Sequence, residues 1–146
     1  MNAKIYLKNI VLFFIGFSMF IMIEQLYRTN TYIISGIMGG ISMVLLDKIN
    51  DKISWDLDLL FQCLIGAGIV TTIELIVGIL DRVVLHLNMW DYSSIWGNFY
   101  GIICIPYSCY WFLLSGIAII LADIINYNVF DGEQPHYHIG NWSFKL

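Results

Sequence analysis

Charge is scarce in this 146-residue sequence: 12% of residues are Asp, Glu, Lys or Arg, about half the share of a typical soluble domain. That is too little to cover a water-facing surface, which excludes a soluble enzyme and a disordered chain. Seven Lys+Arg against eleven Asp+Glu give a formal charge of −4. No basic stripe is available to neutralise phosphates, so nucleic-acid binding is excluded as well. Cysteines number three, at Cys63, Cys104 and Cys109, each inside an apolar run. They form neither a disulfide framework nor a zinc pattern. The sequence also lacks a glycine-rich phosphate loop, G-x-S-x-G and HExxH. With no nucleotide-binding domain, any use of ATP calls for a separate partner chain. His136 and His138 lie two apart without further ligands, and no metal site is expected.

What is abundant is apolar surface: 59% of residues are hydrophobic and the mean hydropathy is +0.75. A bilayer core about 30 Å thick takes about 20 helical residues. Four runs fit or nearly fit, at about residues 9–27, 32–46, 57–80 and 99–122. Helix is the expected state of each, because lipid gives stray backbone groups no partner. The first run begins like a signal peptide, with Lys4 and Lys8 before an apolar core. Glu24-Gln25-Leu26-Tyr27-Arg28 follows without a small-x-small cleavage site, so a retained span is expected. The expected fold is therefore an all-α membrane protein with four transmembrane helices. Residues 83–96 are aromatic and apolar for a loop, and predict an interfacial or re-entrant segment between helices 3 and 4. Residues 1–126 are expected to form the membrane bundle and residues 127–146 a polar or interfacial tail.

Four spans place the termini and the middle loop on one side. That side holds Lys4, Lys8, Lys48, Lys52 and Lys145, and the other Arg28 and Arg82. The imbalance predicts cytoplasmic termini in a multi-pass protein of the cell membrane. Gly36-x-x-x-Gly40, Gly66 with Gly68, and Gly97-x-x-x-Gly101 offer small faces for close helix packing, within one chain or across a dimer seam. Pro106, inside the fourth run, predicts a kink. Asp47 and Asp123 read as solvated helix ends.

Acidic residues inside spans are costly, about 2.5–3.5 kcal/mol at a helix centre. Glu74 lies within the third run and Glu24 closes the first, both in the half of the membrane away from the termini. Asp91, among Trp90, Tyr92, Trp96 and Tyr100, is placed to face them across a partly dry cavity. Convergence predicts raised carboxyl pKa values, opposed by Arg28 and Arg82. Such a cluster can bind a cation, carry a proton, or serve as general acid and base.

Glu74-Leu75-Ile76-Val77-Gly78, Trp90-Asp91-Tyr92-Ser93 and the block from Asn98 to Phe112 resemble the CmpB-like family of ABC-transporter type IV membrane proteins. That family's pattern is similar to E-x-x-x-G on a span, WDYS, then N-x-x-G-Q-I-C-x-P-x-S-x-x-W-F. Glu24 resembles its early intramembrane glutamate, and the tail Glu133-Gln134-Pro135-His136-Tyr137 is similar to the ending of short Firmicute and phage members. Ile102 stands where the family often has Gln, and Trp96 where Pro is common. The resemblance implies a permease-like component for a small solute, cation or proton. The candidate binding residues are Glu24, Glu74, Trp90, Asp91, Tyr92, Ser93, Arg82 and Asn98. None is assigned a catalytic role, and no cofactor is expected. The partners implied are the bilayer, a homo-oligomer or a separate ATPase subunit. Two other functions fit the residues: an intramembrane acid–base enzyme on a lipid or isoprenoid-like substrate, and a holin-like or structural membrane protein.

Overall fold

The computed structural model describes residues 2–27, 30–53 and 55–146. Four long helices run alternately up and down: α1 (Asn2–Tyr27), α2 (Ile33–Lys52), α3 (Leu59–Leu80) and α4 (Ile105–Phe130). At 1.5 Å per residue they are about 30–39 Å long, enough to cross a hydrocarbon core. All four are apolar enough to do so. A single π-helical turn, Asp81–Leu85, extends α3. Strands β1 (Asn98–Phe99) and β2 (Ile103–Cys104) pair antiparallel just before α4, and β3 (His136–Ile139) and β4 (Trp142–Lys145) form a hairpin after it.

The glycine face of α2 is filled from within the chain. A Cβ on Gly36 or Gly40 would run into the ring of Phe17 or Phe13 of α1, and one on Gly39 would lie 2.5 Å from the Gly16 carbonyl oxygen. Backbone-to-backbone approach of this kind is how helices associate in lipid, where water expulsion offers no drive. Elsewhere α1 presents Phe14, Met22 and Leu26 outward, as a lipid-facing helix does.

Three expectations are corrected. The second span continues beyond residue 46 to Lys52, and the fourth is shifted to Ile105–Phe130. In both cases polar residues near the end turn into the bundle. Pro106 occupies the first turn of α4, where an amide N–H has no helical partner anyway, so its position gives no reason for a mid-span kink. Gly97 and Gly101 do not open a helix face. They have φ of +65° and +64°, left-handed turns that glycine adopts without cost.

The segment between α3 and α4 folds back over the bundle. Met89, Trp90, Tyr92, Ile102 and Cys104 are buried there against Met38 of α2. At the opposite end the β3–β4 hairpin docks through Tyr137 onto Leu46, Ile49, Leu59 and Ile119. The bundle thus has a loop end and a tail end, and polar groups are buried at both.

Candidate functional site

At the loop end Glu74 is 3% exposed, and both carboxylate oxygens are held. Tyr92 donates its hydroxyl to Oε1 at 3.0 Å, and Trp111 donates Nε1 to Oε2 at 3.1 Å. Hydrogen bonds to a charged group are worth about 1.5–3 kcal/mol each. Two of them are comparable with the cost of inserting the acid. Tyr92 stacks on Tyr107 with centroids 4.5 Å apart, and Trp111 stacks on Phe20 of α1 at 5.6 Å. One turn beyond Phe20, Glu24 is buried and accepts the Ser35 hydroxyl at 3.2 Å. Glu74 is thus surrounded by aromatic groups from the loop and from α4, with Glu24 on the neighbouring pair of helices.

The rest of the motif holds the loop in place. Asp91 Oδ1 accepts the Ser93 amide at 2.9 Å and the Ser93 hydroxyl at 2.5 Å. Arg82 donates to the carbonyls of Trp90 and Gly101 at 3.2 Å and lies 3.5 Å from Asp91. Trp90 donates its indole N–H to the Ile102 carbonyl at 2.8 Å. Asn98 clasps the turn by donating to Ser93 and Ile95 carbonyls and accepting the Gly101 amide. Gly78, four residues after Glu74, leaves room for Ile102, whose side chain packs onto it. At the position where the family often has Gln, this chain therefore presents an apolar contact.

The three carboxylates do not share one cavity. The Asp91 side chain is 61% exposed, and its Oδ1 is engaged on the loop's own turn. Its pKa is lowered rather than raised, through the Ser93 hydroxyl and amide and then Arg82. The expectation concerning Arg28 lies outside the described residues.

The tail end was misread from sequence. Asp47 and Asp123 are 1% and 3% exposed, not solvated. Asp47 is paired with Lys8 and with Lys48, each at 2.9 Å. Asn126 donates to Asp47 and Asn50 donates to Asp123, both at 2.5 Å. The Tyr137 hydroxyl donates to Asp123 at 2.7 Å. Burial and the adjacent carboxylate hold the Tyr137 phenol well above its ordinary range. A cavity of about 520 Å³ opens here, lined by Lys8, Asn50, Trp55, Asp123, Asn126 and Phe130 among others. A signal was present: the tetrapeptide D-x-I-N occurs twice, at Asp47–Asn50 and Asp123–Asn126. It lies near the ends of two spans that finish on the same side.

Four membrane-crossing helices with acids buried at both ends define a multi-pass helical membrane protein. The chain belongs to the family described as "Putative ABC-transporter type IV", whose model matches residues 11–139. Neither the curated proteins nor the solved structures give a match.

Proposed function

We propose that this protein is a permease-type component of a transport system, with cytoplasmic termini and a pocket centred on Glu74 and Glu24 near the outer face. The pocket takes a small solute, a cation or a proton. The observation that carries the proposal is the grip on Glu74: a hydroxyl from the loop and an indole from α4 meet on one carboxylate inside a span. These neutral donors orient the acid without adding charge to it. Trp90 and Tyr92 supply the aromatic wall, while Arg82, Asp91, Ser93 and Asn98 fix the loop that delivers Tyr92. Four spans are few for a complete transporter, so the chain works as an oligomer or beside a separate ATPase subunit. Everted membrane vesicles from the native host provide the test, with proton, sodium and potassium movement followed by dyes. Glu74→Gln is expected to abolish the flux that depends on this chain while its membrane level is unchanged. Flux equal to that of the unaltered protein overturns the proposal.

A second function has one specific observation behind it. An apolar groove between the four helices, lined by Met19, Phe20, Met43, Val70, Trp111 and Ala118, reaches the indole that holds Glu74. A lipid or isoprenoid chain lying there would bring its head towards an acid–base group. Changed lipid extracts on deletion of the gene, reversed by the unaltered chain but not by Glu74→Gln, would favour this enzyme over the permease. Identical extracts remove it.

A further inference from the structure

The two D-x-I-N tetrapeptides form a reciprocal clamp. A spacing of three residues puts Asp and Asn on one helix face, and each Asn donates to the Asp of the other helix: Asn50 of α2 to Asp123, and Asn126 of α4 to Asp47. With both amide N–H₂ groups engaged this way, the two amide oxygens are left over. Among the described residues neither Asn50 Oδ1 nor Asn126 Oδ1 has a partner, although each residue is only 8% exposed. Both side chains line the tail-end cavity.

The charges around that cavity are unevenly matched. Asp47 has Lys8 and Lys48, and Lys4 is occupied by Asp131. Asp123 receives only the neutral Asn50 amide and Tyr137 hydroxyl, and among the described residues no lysine or arginine reaches it. Of the three carboxylates lining the cavity, Asp51 is paired with Lys8 and Lys48 and Glu133 is exposed on the tail, which leaves Asp123 and the two amide oxygens as acceptors beside the aromatic rings of Trp55 and Phe130. A primary ammonium carries three N–H donors and no acceptor, which matches three acceptors. Aromatic faces attract the same charge. About 520 Å³ is the size of a small-molecule site and far exceeds what a bare metal ion fills.

We propose that the tail-end cavity is a binding site for a small primary alkylammonium. It is separate from the Glu74 centre and does not depend on the function proposed for that centre. The full-length protein in lipid nanodiscs is titrated calorimetrically with butylammonium, tetramethylammonium and potassium chlorides at constant ionic strength. Saturable butylammonium binding is expected, at least tenfold tighter than that of tetramethylammonium, which has no N–H, or of potassium. Asp123→Asn, which keeps the shape and removes the charge, is expected to weaken butylammonium at least tenfold. Absence of saturable binding, equal affinity for the three cations, or full affinity in Asp123→Asn overturns the proposal. If Asp123→Asn does not fold, the selectivity series on the unaltered protein decides alone.

Discussion

The two ends of the bundle bury carboxylates in different ways. At the loop end, Glu74 is oriented by a phenol and an indole brought from distant parts of the chain. At the tail end, Asp47 is neutralised by two lysines and tied to an amide across the helices. Neutral donors fix an acid's direction, while ion pairing also cancels its charge. The first arrangement suits a group that exchanges a proton or ion. The second suits a fastening between helices, with Asp123 as the one acid of the clamp that no described lysine or arginine reaches.

That contrast predicts a graded set of outcomes. The largest effect is expected from Asp47→Ala, which strands the buried Asn126 amide and leaves half-buried Lys8 with Asp51 alone. Breaking a buried pair from one side costs about 3–5 kcal/mol, read as a lowered unfolding midpoint in detergent. A loss below about 1 kcal/mol would show that the tail end is not a fastening.

Tyr92→Phe comes next. It removes one donor to a buried carboxylate, a loss of about 1.5–3 kcal/mol, and is expected to impair the Glu74-dependent flux more than stability. Unfolding curves and vesicle assays on the same preparations separate the two effects.

Smaller and local are two acid-dependent contacts, one at each end. Asp58 caps α3 through the Leu60 amide and accepts the Gly140 amide of the hairpin. The Gly140 and Leu60 amides hold its carboxyl below the ordinary 3.8, as Ser93 and Arg82 do for Asp91. A lowered folded value gives stabilisation that is complete above the unfolded pKa and lost as the pH falls through the folded one. Both contacts are therefore expected to loosen only below pH 3.8. Hydrogen exchange in the hairpin and around Ser93 would report them separately, and loosening near neutral pH would refute the assignment.

The smallest effect is expected midway between the ends. Gly68 faces open space, so Gly68→Ala should stabilise by under about 1 kcal/mol through helix propensity. A marked destabilisation there would reveal a partner helix covering that face.

The sequence made one end far more legible than the other. Glu74, Trp90 and Tyr92 stood out because an acid within a span and a WDYS block after it are unusual, and the four apolar runs gave the helices. The position of Asp91 was not legible. Nothing in a string of residues shows that its Oδ1 is used by Ser93 two positions on. The tail-end clamp was missed because an acid near the end of an apolar run normally reaches water. Only its repetition as D-x-I-N on two helices, together with a hairpin that covers that end through Tyr137, distinguishes it. Pro106 was misplaced for a related reason: hydropathy continues through β1 and β2 into α4, so the helix start is set by the turns at Gly97 and Gly101 rather than by any change in polarity.

The most direct measurement is carboxyl labelling by an apolar carbodiimide in native membranes, mapped by mass spectrometry. Such reagents attack protonated acids in lipid-shielded sites. The account predicts modification of Glu74 that is suppressed by the ion the pocket takes, with Asp47 unlabelled because Lys8, Lys48 and the Asn126 amide enclose its carboxylate. Labelling of Asp47 in place of Glu74, or labelling of Glu74 indifferent to added ions, would contradict it.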